Sequence, residues 1–197
     1  NTAFSKTYTI HVHINKNKSS ELLSFNIVAP QATGIITSTD SSTGTVVVNV
    51  PFGTIVSNLI ANFTASDSAT VWVGSAAQQS DVTAHNFMNE VIYIVTSQDK
   101  SRSTSYSVLV KPLPNSAAEL KTFGFVSPEV SGIITPDTRG VTVAVSTNTD
   151  VSQLIANFSI SDSASASVNG VLQESTVSPI DYSDTVYFEI VAQDKIT

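Results

Sequence analysis

Residues 21–27 (ELLSFNI) alternate apolar and polar positions with a period of two, the pattern of a strand buried on one face only. Similar short runs recur along the chain: 34–37 (GIIT), 45–50 (TVVVNV), 58–63 (NLIANF), 71–73 (VWV), 91–95 (VIYIV) and 106–110 (YSVLV). They are rich in β-branched residues, and clusters of Ser, Thr, Asp, Asn and Gly separate them, so they read as strands joined by turns. The run at 91–95 reads as a central strand. No stretch carries the 3.6-residue period of an amphipathic helix. Pro112 and Pro114 then interrupt β pairing and mark a short linker.

After the linker the same order returns. Glu119 and Leu120 repeat Glu21 and Leu22, and Gly132-Ile133-Ile134-Thr135 repeats Gly34-Ile35-Ile36-Thr37 in the same register. The loop that follows is three residues shorter in the second copy. Beyond it Leu154-Ile155-Ala156-Asn157-Phe158 repeats Leu59-Ile60-Ala61-Asn62-Phe63, Ser161-Asp162-Ser163-Ala164 repeats Ser66-Asp67-Ser68-Ala69, and Gln193-Asp194-Lys195 repeats Gln98-Asp99-Lys100. So many blocks in one order are an internal duplication. Each copy holds about seven short strands at roughly ten-residue spacing, the pattern of an immunoglobulin-like β-sandwich. The expected fold is all-β: two tandem sandwiches, spanning 21–111 and 118–197.

Alternation predicts the core. In the first copy it is Phe25, Ile27, Val46, Val48, Val50, Leu59, Ala61, Phe63, Val91, Tyr93, Val95, Tyr106 and Val108. In the second it is Phe123, Phe125, Val141, Val143, Val145, Leu154, Ala156, Phe158, Val186, Phe188 and Ile190. The Ile94–Glu189 correspondence supports this phase, because a face that accepts Glu in one copy is solvated.

One stretch stands outside this plan. Residues 5–14 (SKTYTIHVHI) lie in register with 103–112 (STSYSVLVKP), the strand that closes the first copy. Residues 1–15 therefore read as the last strand of a preceding repeat, while the second copy lacks its own. An unpaired strand edge is a template for pairing with another chain. The predicted interface is Tyr8, Ile10, Val12 and Ile14 on the donor with Val186, Phe188 and Ile190 on the acceptor. The tether at residues 15–20 reaches only about 20 Å at ~3.4 Å per residue, which favours donation to another molecule over donation within the chain. Head-to-tail contacts of this kind propagate as filaments unless they close. The rival expectation is that the chain is cut from a longer array and that the pairing is a product of the cut.

Composition narrows the function classes. Charged residues make up only 13 % against 41 % hydrophobic, and Ser, Thr and Asn take the place of charge on the solvated faces. A net charge of −7 argues against nucleic acid, since nothing would neutralise a phosphate backbone. Without cysteine there are no disulfides, thiol nucleophiles or thiolate metal sites. No apolar stretch is long enough to span a membrane.

The blocks LLSFNI, GIIT, VVVNVPFGTIVSNLIANFTASDSA and VIYIVTSQDKSRSTSYSV together resemble the Ig-like repeats of surface lipoproteins and exported proteins in Bacteroidota, which carry a domain of unknown function. The second copy departs from the pattern, with Ser146-Thr147-Asn148 in place of Pro51-Phe52-Gly53 and without the Tyr-containing last strand. The resemblance implies an extracytoplasmic location, at the cell surface or in the periplasm, and no chemistry.

Candidate chemistry is sparse. His11 and His13 share one face of their strand and could begin a zinc site, but no third ligand is local, and a solvated face is the favoured reading. Asp67 and Asp162, and Asp99 and Asp194, occupy equivalent turns, where Asp more often accepts backbone hydrogen bonds than binds calcium. Ser68 and Ser163 lie in triplets similar to a Bacteroidota O-glycosylation motif. Trp72 has an outward phase between Val71 and Val73, and its counterpart is Ser167. It could stack on a sugar or anchor a partner, or be covered by a loop. No cofactor, catalytic group or metal site is expected. The leading expectation is a non-catalytic structural or adhesive surface module, whose partners would be itself, a surface glycan or a protein. The alternative is a carbohydrate-binding accessory module.

Overall fold

The computed structural model describes residues 4–196, so the outermost residues of the expected spans, 1–3 and 197, lie outside the described residues. It divides into two compact units that meet in sequence between Leu113 and Pro114. No described helix is long and apolar enough to cross a membrane.

The first unit is a single run of nine paired strands. These are β1 (Leu22–Ile27), β2 (Ala32–Ser38), β3 (Thr43–Val50), β4 (Leu59–Ala65), β5 (Thr70–Val73), β6 (Ala76–Ala77), β7 (Ala84–His85), β8 (Val91–Thr96) and β9 (Ser103–Pro112). Their spatial order is β6-β5-β8-β9-β3-β2-β1-β4-β7. The start of β2 pairs with β1 through Ala32 and Thr33, and the rest pairs with β3 from Gly34 to Ser38. One strand therefore passes from one group of strands to the other. The two groups enclose one core, with Phe25, Ile27, Ala61 and Phe63 on one side and Val46, Val48, Tyr93, Val95 and Val108 on the other. Phe25 meets Tyr93 edge-on, with ring centroids 5.2 Å apart. Every residue predicted for this core is buried, and Leu22, Ala32, Val71, Phe87 and Val110 join it.

β9 has a special place in that order. It runs antiparallel to β8 from Ser103 to Val108 and parallel to β3 from Ser105 to Pro112. Its inward residues seal the core, and the Leu22 amide donates to the Tyr106 hydroxyl at 3.1 Å.

The second unit contains β10 (Leu120–Phe125), β11 (Val130–Ser131), β12 (Ile133–Thr135), β13 (Gly140–Thr142), β14 (Leu154–Ile160), β15 (Ser165–Val168), β16 (Val171–Gln173), β17 (Pro179–Ile180) and β18 (Phe188–Val191). Its local architecture copies the first unit closely. The bulge between Leu22 and Ser24 recurs between Leu120 and Thr122, and the Ser24–Thr64 hydroxyl pair at 2.6 Å recurs as Thr122–Ser159 at 2.6 Å. The sheet, however, is in pieces: β11-β10-β14-β17, β12-β13 and β16-β15-β18.

Two expectations are corrected here. Val141, Val143, Val145, Val186, Phe188 and Ile190 are only half-buried, although their first-unit counterparts lie in or beside a sealed core, because no strand occupies the position of β9 among the described residues. Val186 also falls outside its expected strand, which starts at Phe188. Residues 5–14 form no strand at all. A strand exists only where another satisfies its N–H and C=O groups, and among the described residues no strand pairs with this segment. Tyr8 and Ile10 are accordingly 79 % and 83 % exposed, whereas Tyr106 and Val108, their counterparts, are 2 % and 0 % exposed.

Gly34 shows how tightly the crossing strand is held. A Cβ there would lie 2.6 Å from the Phe25 carbonyl oxygen and 2.9 Å from a Val46 methyl, and Gly132 meets Val143 and Val141 in the same way. Replacement Gly34→Ala is expected to lower stability by about 1–3 kcal/mol, as overpacking does when backbone must shift. The drop in urea midpoint, at unchanged slope, measures it.

Candidate functional site

The outward residues of the first unit form rows across β5, β8, β9, β3 and β2, because strand register aligns them. Trp72 stands opposite Ile94, Ile94 opposite Ser105, and Ser105 opposite Thr43. The next row runs Ile92, Ser107, Thr45, Thr37, and the third Leu109, Val47, Ile35. The result is a partly exposed sheet face that carries large apolar side chains beside a group of hydroxyls. Trp72 is at one side of it, 36 % exposed, its indole N–H donating to the Thr70 hydroxyl at 3.1 Å. Sequence phase alone places Trp72 outward; only the strand register brings Ile92 and Ile94 beside it as a surface.

The second unit builds the same position from different chemistry. Ser167 pairs with Glu189, the counterparts of Trp72 and Ile94, and the Ser167 hydroxyl donates to the Glu189 carboxylate at 3.2 Å. An aromatic patch exists in one unit and a polar patch in the other.

The repeated aspartates belong to a clasp. The Asn17 amide donates to Gln98 Oε1 at 2.8 Å, and its carbonyl accepts from the Asp99 amide at 3.2 Å. Its side-chain amide donates to the Asp67 carbonyl at 3.1 Å, and its Oδ1 accepts from the Ser19 amide at 2.9 Å. Asn115 makes the same four bonds to Gln193, Asp194, Asp162 and Ala117, at 2.9, 3.1, 2.9 and 3.0 Å. The SDSA and QDK blocks therefore recur because each unit ties its entering segment to these two turns. Asn17 and Asn115 were not singled out from sequence, although they too stand in repeat register. Asp162 additionally pairs with Lys121 at 3.0 Å, an exposed contact.

The remaining candidates stay apart. His11 and His13 are both exposed on the unpaired segment, and Tyr8, Ile10, Val12 and Ile14 are exposed beside them. His85 lies in β7, where Leu59 pairs with it as Leu154 pairs with Ile180, and its Nε2 is 2.7 Å from Gln78 Oε1. Burial holds its pKa below the ordinary imidazole value. Ser68 and Ser163 sit at exposed turn tips with φ of 58° and 62°. Among the described residues, no three His, Cys, Asp or Glu side chains gather as a metal site would require. A cavity in the second unit is lined in part by Asp181, Asp184 and Tyr187, and the Asp181 carboxylate already accepts from the Ser183 amide at 2.9 Å.

The family model described as "SGBP, N-terminal" matches residues 22–110, which span β1 to β9 short of its last two residues. The match lies wholly within the first unit and covers less than half of the chain. No curated protein matches the chain. Among solved structures, a protein named provisionally as a glycoside hydrolase from Bacteroides thetaiotaomicron is similar at 19 % identity and a TM-score of 0.37 over 68 % of this chain. The chain spans only 36 % of that protein's length. A protein named provisionally as secreted, from Bacteroides fragilis, is similar at 12 % identity and a TM-score of 0.37 over 48 % of this chain and 97 % of its own.

The turn aspartates carry a pH signature. Asp40 accepts from the amides and hydroxyls of Ser42 and Thr43, and Asp99 from the amide and hydroxyl of Ser101 and the hydroxyl of Ser97. The Ser42 amide is the largest cause at Asp40 and the Ser101 amide at Asp99, and both carboxyls are held down at about 2 from an ordinary 3.8. A carboxyl depressed in the folded state stabilises above its unfolded pKa, and the effect is lost as pH falls through the folded value. Carboxyl NMR shifts should therefore titrate near pH 2 at both residues. Their stabilising effect should be complete above pH 3.8 and fade below it.

Proposed function

We propose that the chain is a non-catalytic accessory module of a cell-surface glycan system, and that the outer face of the first unit meets the glycan through Trp72. One observation carries the reading. The family model that names a glycan-binding protein covers the unit that presents an aromatic on an open sheet face, and the unmatched unit presents Ser167 and Glu189 there. An indole offers a broad apolar surface for the C–H face of a sugar ring, and the Ser and Thr hydroxyls in the adjoining rows offer hydrogen bonds. The charge of −7 favours neutral over anionic glycans. The reading includes an extracytoplasmic location and immunoglobulin-like sandwich units, the parallel β3–β9 pairing being consistent with that topology.

A second reading, a structural or adhesive spacer, is favoured by the duplication itself and by the clasp repeated in each unit. The family match favours the glycan reading over it.

Affinity electrophoresis through gels containing neutral polysaccharides tests the choice. The native chain should be retarded by at least one of them, and Trp72→Ala should weaken binding by about 2 kcal/mol, roughly thirtyfold, with the thermal midpoint little changed. No retardation of the native chain would remove the glycan reading and leave the spacer, whereas equal retardation of both forms would remove Trp72 as the contact.

A further inference from the structure

The outer face of the first unit has a direction. β5 spans only Thr70–Val73, so along its own strand Trp72 has a single outward neighbour, Thr70. Across the strands the surface continues: Trp72 stands in register with Ile94 on β8, Ser105 on β9 and Thr43 on β3. On its other side β6 adds just Ala76 and Ala77. A ligand seated on the indole and longer than one ring therefore finds continuous sheet beneath it across β8, β9 and β3. The indole is fixed at the start of this track, since its N–H donates to the Thr70 hydroxyl at 3.1 Å.

The chemistry changes along the track. Trp72 and Ile94 are apolar, whereas Ser105 and Thr43 carry hydroxyls. Further hydroxyls flank it: Thr96 and Ser103, 2.9 Å apart, on one side, and Ser107 and Thr45, in register with each other, on the other. None of these residues is charged, in a chain of net charge −7. The second unit, by contrast, puts Glu189 at the position of Ile94. An apolar floor beside uncharged hydroxyls matches the ring faces and ring hydroxyls of a sugar that carries no charge. Contacts on an open face are individually weak, and a single ring on Trp72 offsets little of the cost of association. Affinity here has to be gathered from several rings.

Strand spacing sets how those rings are seated. Neighbouring strands lie ~4.8 Å apart, and each residue of an extended pyranose chain advances by about the same distance. Resting on the glycan reading of this face, we propose that the first unit binds an extended, uncharged glycan laid across its strands, with successive rings over Trp72, Ile94, Ser105 and Thr43. Sheet twist limits the run. Each strand is rotated by roughly 20–25° from the last, so an extended chain turns away from the face after about four rings. A coiled glycan, or a single sugar at a chain end, would not use Ser105 or Thr43.

Titration calorimetry of the native chain with cello-, xylo- and manno-oligosaccharides of two, four and six residues tests the proposal. In at least one series affinity should rise at least about tenfold from two residues to four and no further at six. Ser105→Lys alters an outward position on β9, two strands away from the indole. It should bring the affinity for four residues down to that for two and leave the two-residue affinity unchanged, a pattern that misfolding would not produce. Affinity that is equal at all three lengths or still climbing at six overturns the proposal, as does a Ser105→Lys variant that loses both affinities or neither. Retardation of the native chain by a polysaccharide with no binding in any of the three series overturns it too, and each of these results leaves the glycan reading in place. No retardation by any polysaccharide removes both.

Discussion

The structure depends on one strand position, the slot between β3 and β8. A strand there must satisfy two ladders at once and must also present large apolar groups to a core that both flanking strands leave open on that side. In the first unit β9 does so, and the core around Phe25, Tyr93 and Val48 closes to full burial. In the second unit the position is vacant among the described residues, and the same sequence pattern yields a fragmented sheet over a half-covered core. Two nearly identical units thus act as an internal control. The hydroxyl pair and the clasp, which make no hydrogen bond to β9, are reproduced to within a few tenths of an ångström. The features that depend on it are not.

The duplication also separates structure from function. What the two units share is architectural: the apolar alternation, the glycine that admits a strand crossing, and the asparagine that fastens the entering chain to two turns. What they do not share is the outer face. Trp72 and Ile94 in one unit stand where Ser167 and Glu189 stand in the other, so the shared scaffold does not require an aromatic there. A residue type that the fold does not need is the natural place to look for a contact with something else.

Much of this was legible in the sequence because period-two alternation reports directly on which face of a strand is buried. The first-unit core followed from it residue by residue, and so did the outward phase of Trp72. The extent of burial in the second unit did not follow, since alternation says which way Val141 or Ile190 points and not whether another strand covers it. Residues 5–14 illustrate the same limit. Their pattern is that of a strand, yet strand formation needs a partner, and pattern alone cannot supply one. Neither the clasp nor the apolar rows of the outer face could be foreseen. Asn17 acquires meaning only when the turns at Asp67 and Gln98 meet beside it, and Ile92, Leu109 and Ile35 become neighbours only through the register of five strands.

Backbone hydrogen exchange of the chain, followed by mass spectrometry, tests the role of the slot most directly. With the slot filled by β9 in the first unit and unfilled among the described residues of the second, exchange should be slow in β3, β8 and β9 and fast in residues 140–145 and 188–191. Exchange in 140–145 and 188–191 as slow as in β3 and β8 would contradict the account.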